Sequence, residues 1–171
     1  MKRILSLFAA AALLLAALSA CGSKEPQAQD KQVDLAGFAQ SVQEKHEFSS
    51  LERLDPADSE MGELYQNALD NYYPGLSGMD LAQMEMYMSM ISFSGGELAL
   101  VQAKSDGDAA KVKDIFQARL DSKTTDGPNN YPEELEMWQK YGKVVENGSY
   151  VMLVNHPDSE AIVSEFQALF A

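Results

Sequence analysis

The sequence predicts an α+β domain: a four-stranded antiparallel sheet from two β-hairpin–helix units, helices mainly on one face, and two N-terminal helices. Three observations predict it. In "KVVENGSYVMLVN" the pair Asn147-Gly148 lies between two apolar runs, a strong short-range hairpin signal. Methionines stand at every second position, Met84, Met86, Met88 and Met90, with Glu85, Tyr87 and Ser89 between them, the period of a strand with one buried face. Finally, "GELALVQAKSDGDAAKVKDIFQARL" and "GSYVMLVNHPDSEAIVSEFQALF" share a glycine, an apolar strand, an acidic helix start and a closing Phe-Gln-Ala, with Phe116 matching Phe166. One such unit cannot bury its apolar face alone, so two pairing into one sheet is physically sensible.

The chain opens with Lys2 and Arg3, followed by the apolar run Ile4 to Leu18. That run is shorter than the ~20 apolar residues of a membrane span and has the build of a secretory leader. It meets Leu18-Ser19-Ala20-Cys21. A leucine three positions before a cysteine, with small residues between, resembles the lipobox of the bacterial lipoprotein pathway. The resemblance implies a signal peptide over 1–20, cleavage before Cys21, lipidation of Cys21, and the membrane as a partner through that anchor. Two or more acyl chains hold a protein durably where one does not. Cys21 is the only cysteine, so no internal disulfide or cysteine-based metal site is available. Residues 21–33 are polar and read as a flexible tether; 34–171 read as a single α+β domain.

Within that domain Asp34 is an N-cap before Leu35, Phe38 and Val42, which share one helical face. A second helix is expected from Asp55 as cap and Pro56 in the first turn, with Met61, Leu64, Tyr65, Ala68 and Leu69 inward. "YYPGLSG" breaks it. The methionine strand, a turn at "SGG" and "ELALVQAK" form the first hairpin. "SDGDAAKVKDIFQARLDSK" follows as a helix with Val112, Ile115, Phe116 and Leu120 on its apolar stripe, then the loop "TTDGPNN" and a short helix started by Pro132. The Asn-Gly hairpin and a last helix, with Ile162, Phe166, Leu169 and Phe170 inward, close the chain.

The 171 residues carry 13 basic and 26 acidic side chains, a net charge of −13. Loss of Lys2 and Arg3 with the leader leaves 11 against 26, a net of −15. Such a chain repels nucleic acid and anionic headgroups, so no nucleic-acid partner is expected and the lipid anchors unaided.

The lipobox leader, "GGELALVQAK", a helix ending "ARL", "YPEE" and "ENGSYVMLV" together resemble a family of small uncharacterised lipoproteins, a domain of unknown function typical of clostridial Gram-positive bacteria. The resemblance runs over roughly Leu64 to Phe170. It singles out Glu97, Arg119, Tyr131, Pro132, Gly148 and Tyr150, and implies a location and a domain but no activity.

Few residues suggest chemistry. Thioethers bind Cu(I), but sulfurs two residues apart on a strand are ~6.5–7 Å apart along it, so the methionine stripe reads as core packing. His46 at a helix end and His156 before Pro157 read as surface residues, and Asp106-Gly107-Asp108 as a turn with an N-cap rather than a calcium loop. No catalytic residue, cofactor or metal site is assigned. Tyr131, Trp138, Tyr141 and Tyr150 read as packing of a short helix on the sheet or as an aromatic contact surface for a ligand. Arg119 breaks a rule: it follows Phe116 by three positions and so falls on the apolar face of its helix. Two readings stand. Either it forms a structural ion pair with Glu97, or, beside Tyr131, it takes a carboxylate or phosphate of a partner. The expected function is a non-enzymatic extracytoplasmic binding or accessory module with an unidentified protein or cell-envelope partner. The alternative is an extracytoplasmic hydrolase of cell-envelope material with acidic catalytic residues. Replacing Cys21 with Ala is expected to leave the chain unprocessed or to release it from the membrane. A Cys21→Ala variant that still partitions into detergent at the mature size contradicts the lipid anchor.

Overall fold

The computed structural model describes residues 32–48, 50–89, 96–125 and 131–171. Cys21, the leader, most of the tether and Met90 lie outside them.

Helix α1 (Leu35–Lys45) begins where predicted, with Asp34 Oδ1 accepting the Gly37 N–H at 3.1 Å. Strand β1 (Leu51–Arg53) follows. Helix α2 (Gly62–Tyr72) starts several residues later than its sequence suggests. Asp55 and Asp58 spend their carboxylates on nearby backbone N–H groups, of Ala57 and of Glu60 and Met61, the local competition that makes Asp a turn residue. The turn folds back so tightly that a Cβ on Gly62 would lie 2.5 Å from the Pro56 carbonyl oxygen. Met61 and Leu64, expected inward, are exposed in consequence. A 3-10 turn (Leu76–Gly78) leads to β2 (Leu81–Ser89), β3 (Glu97–Ala103) and α3 (Asp106–Thr124), the last capped by Ser105. Then come α4 (Pro132–Tyr141), β4 (Lys143–Asn147), β5 (Tyr150–Asn155) and α5 (Ser159–Ala168).

The protein is a mixed α+β fold with an open antiparallel sheet of five strands, ordered β1-β2-β3-β5-β4, rather than four. The added strand, β1, is three residues long and pairs Leu51 with Ser89 and Arg53 with Tyr87; it is too short and too polar to leave a periodic signal. The β4–β5 turn is centred on Gly148 and Ser149 rather than on Asn147-Gly148, with Asn147 paired to Tyr150. Only Gly148 of the two central residues has a positive φ, 56°, which is the demand of a turn with glycine at its first central position.

Helices cover both faces, not mainly one. Ala99, Val101, Val151 and Leu153 face α2, α3 and α4, where Tyr65, Leu69, Val112, Phe116 and Trp138 meet them. Leu98, Leu100, Met152 and Val154 face α1 and α5, against Leu35, Phe38, Val42, Ile162 and Phe166. The central strands are therefore apolar at consecutive positions, as strands buried on both sides must be. The two hairpin–helix units also do not form a symmetric pair. Strand order reverses between them, β3 and β5 run antiparallel, and α3 and α5 lie on opposite faces; no rotation combines all three. The strand-to-helix connections, 104–105 and 156–158, differ by one residue, and a one-residue step along a pleated strand reverses the facing side.

Met86 and Met88 are buried and Met84 partly buried, all in the cluster beneath α2 and α3. Met86→Ala is expected to lower stability by about 2–5 kcal/mol, read as a shift in denaturant midpoint. An unchanged midpoint contradicts the packing role.

Candidate functional site

Glu97 opens β3 and Arg119 sits late in α3, so the strand and the helix that follows it bring the two together. Arg119 Nε donates to Glu97 Oε1 at 3.0 Å and Nη2 to Oε2 at 2.7 Å, a fork-to-fork pair. Arg119 is 7% exposed and Glu97 2%. Tyr73, just after α2, donates its hydroxyl to Glu97 Oε1. The guanidinium carbon lies 4.5 Å from the Tyr72 ring centroid, 5.7 Å from that of Trp138 and 5.9 Å from that of Tyr73, so an aromatic cage closes around the cation. Burial works against the Arg119 charge, but Glu97 outweighs it and holds the group above its usual range. Burial, aided by Glu97, pushes the Tyr73 hydroxyl well up, which keeps it a donor. The charge of Arg119 is thus matched inside the fold.

Tyr131, expected beside Arg119, is not among its contacts. It precedes α4, is 54% exposed and caps that helix through its carbonyl, which accepts the Leu135 N–H. Tyr150 lies on the opposite face of the sheet, buried against Phe170, with its hydroxyl accepting the Val33 N–H at 3.1 Å. Tyr131, Trp138 and Tyr150 therefore do not make one aromatic platform. The residues that do complete the Arg119 site, Tyr72 and Tyr73, stand in the "YYPG" stretch that reads only as a helix end.

A second arrangement has no counterpart in the sequence reading. An open groove of about 670 Å³ runs between α1 and the β1–β2 edge, lined among others by Asp34, Gln40, Glu44, Arg53, Glu85 and Tyr87. Arg53 lies opposite Tyr87 in the register, which sets Glu85 diagonally across the strand pair. Arg53 donates to both Glu85 oxygens at 2.9 and 3.1 Å and to Asp55 at 2.7 Å, and the Tyr87 hydroxyl donates to Glu85 Oε2 at 3.0 Å. The hydrogen bond to Glu85 holds the Arg53 guanidinium above its usual range. Burial and Glu85 raise the Tyr87 hydroxyl. The groove thus has a fixed, hydrogen-bonded wall and a polar rim.

The histidines are not surface residues. His46 is 8% and His156 9% exposed, 6.1 Å apart between ring centroids. His46 Nδ1 lies 3.0 Å from Asp158 Oδ2 and Nε2 3.3 Å from Glu165 Oε1, which joins the end of α1 to α5. A lone histidine at a helix end gives no sequence signal of partners more than a hundred residues away.

Replacing Arg119 with Leu strands a buried carboxylate, so a loss of about 3–5 kcal/mol is expected. Adding Glu97→Gln should recover much of it, because the stranded charge is gone. A calorimetric double-mutant cycle checks this; additive losses would contradict a structural pair.

Among the described residues no helix is long and apolar enough to cross a membrane. No curated protein and no solved structure matches the chain. The family model described as "Domain of unknown function (DUF4358)" matches residues 56–156, the stretch that holds α2 through β5 and with them Glu97, Arg119 and their aromatic cage. On that match, which takes in more than half of the sequence, the chain belongs to the DUF4358 family.

Proposed function

We propose that the chain is an extracytoplasmic protein, lipid-anchored through Cys21, whose domain acts as a non-enzymatic binding or accessory module and engages a polar partner in the groove beside α1. One observation carries the binding role: an open polar groove backed by the fixed Arg53–Glu85–Tyr87 network. Side chains held by their own hydrogen bonds lose little freedom when a ligand arrives, which favours recognition. Gln40 and Glu44 on the α1 side supply amide and carboxylate groups that suit a hydrogen-bonding partner. The lipid anchor rests on the leader and on Leu18-Ser19-Ala20-Cys21. The Arg119 site serves the fold in this reading, since Glu97 already occupies its fork.

Photo-cross-linking on intact cells tests the proposal. A cross-linker at Gln40 is expected to capture one partner, with capture lost on Arg53→Gln, while a cross-linker at Tyr131 captures nothing in common with it. Equal capture from both positions would remove the groove from the account. Turnover of cell-envelope material by the purified chain, lost on Glu85→Gln, would replace the binding module with a hydrolase.

A further inference from the structure

We propose that His46 is a protonation-dependent clasp that fastens the C-terminal end of α1 to α5. A neutral imidazole carries one N–H and can donate to one acceptor only. Both ring nitrogens of His46 face carboxylate oxygens, Asp158 Oδ2 at 3.0 Å and Glu165 Oε1 at 3.3 Å. In the neutral ring one of those contacts sets a lone pair against an anion. The imidazolium alone donates to both.

Every charged group packed around the ring fits this assignment. From α1, Lys45 Nζ pairs with Glu165 Oε2 at 2.9 Å and leaves Oε1 for His46. From the β5–α5 connection, His156 Nδ1 accepts the Asp158 N–H at 3.1 Å. That places the His156 proton on Nε2, from which it donates to the Glu47 carbonyl at 3.3 Å. Phe48 stacks on the same ring, centroids 4.3 Å apart. The two imidazoles thus have opposite needs: His46 is charged when the clasp is closed, and His156 is neutral. A His46 ring with one proton keeps only one of its two carboxylate contacts. Asp158 is held below the usual carboxylate range chiefly by His46, and Glu165 by Lys45 first and His46 second. Groups depressed in this way contribute stability above ~pH 4, the unfolded carboxylate value, and lose it as pH falls through their folded values. The carboxylate side of the clasp is therefore lost as pH falls through the folded values of Asp158 and Glu165.

What the clasp holds is the cover of one sheet face. α1 buries Leu35, Phe38, Ala39 and Val42 on that face, and grooves run along it on both sides, one reaching from Asp34 to Glu44 and the other from Asp34 to Lys45 and Glu165. The C-terminal end, with Lys45 and His46, is where α1 is tied by charge.

Imidazole ¹⁵N spectra and amide hydrogen exchange on the purified full chain test this. At about pH 6, inside the range where histidine changes charge, both His46 ring nitrogens are expected to carry protons and His156 one. Corrected for intrinsic rates, exchange of the Ala39 to Val42 amides should quicken about tenfold between about pH 6 and about pH 8. The Leu98 to Val101 amides of β3 should not follow, and His46→Gln should flatten the response. A His46 ring with one proton at about pH 6 overturns the clasp, and so does an α1 response that survives in His46→Gln. Should that variant fail to fold, the wild-type ring spectrum decides alone.

Discussion

Glu97 begins the strand at the centre of the sheet with its carboxylate in the interior, and the fold on that side is arranged around the need to answer it. An uncompensated buried carboxylate is costly, and three helices contribute: Arg119 from α3, Tyr73 from the end of α2, and Tyr72 of α2 and Trp138 of α4 through the cation they face. The pair fixes where α3 lies against β3, and α3 in turn gives α4 and α2 something to pack on. Desolvation is the largest single effect on Arg119, and the attraction and hydrogen bonds of Glu97 together outweigh it, so removing either partner costs far more than the pair contributes net. The same matching argues that Arg119 is not the place where a partner docks.

Several elements were legible from local chemistry. Asp34 and Ser105 cap their helices because their side chains can accept from the first turn, and Pro132 opens α4 for the same reason that its missing N–H costs nothing there. The Glu97–Arg119 contact was legible too, because a guanidinium on an apolar helix face demands an acceptor. What escaped the sequence depends on distance. β1 gains its identity only from pairing with β2. Tyr72 and Tyr73 gain theirs from a cation some 46 residues on, and His46 from carboxylates beyond residue 155. The two-faced sheet left a trace that hairpin symmetry obscured: "LALV" (98–101) and "YVMLV" (150–154) are unbroken apolar runs, the mark of strands covered on both sides.

The family match adds a physical point about where the domain ends. Leu98, Leu100, Met152 and Val154 lie within the matched stretch, 56–156, yet α1 and α5, which cover them, lie outside it. A sheet with two apolar faces needs two covers, so the folding unit of this chain extends past the matched stretch in both directions. The polar groove along α1, from Asp34 to Glu44, and the histidine cluster at its C-terminal end both belong to that outer layer.

The central claim is that the Arg119 guanidinium is locked in the interior by Glu97 and released only when the domain unfolds. Hydrogen exchange at its side-chain Nε–H, followed by ¹⁵N NMR, measures this directly. The account predicts protection comparable to that of the β3 backbone amides and a matching response to denaturant. Exchange as fast as that of a solvated arginine, with β3 still protected, would contradict it.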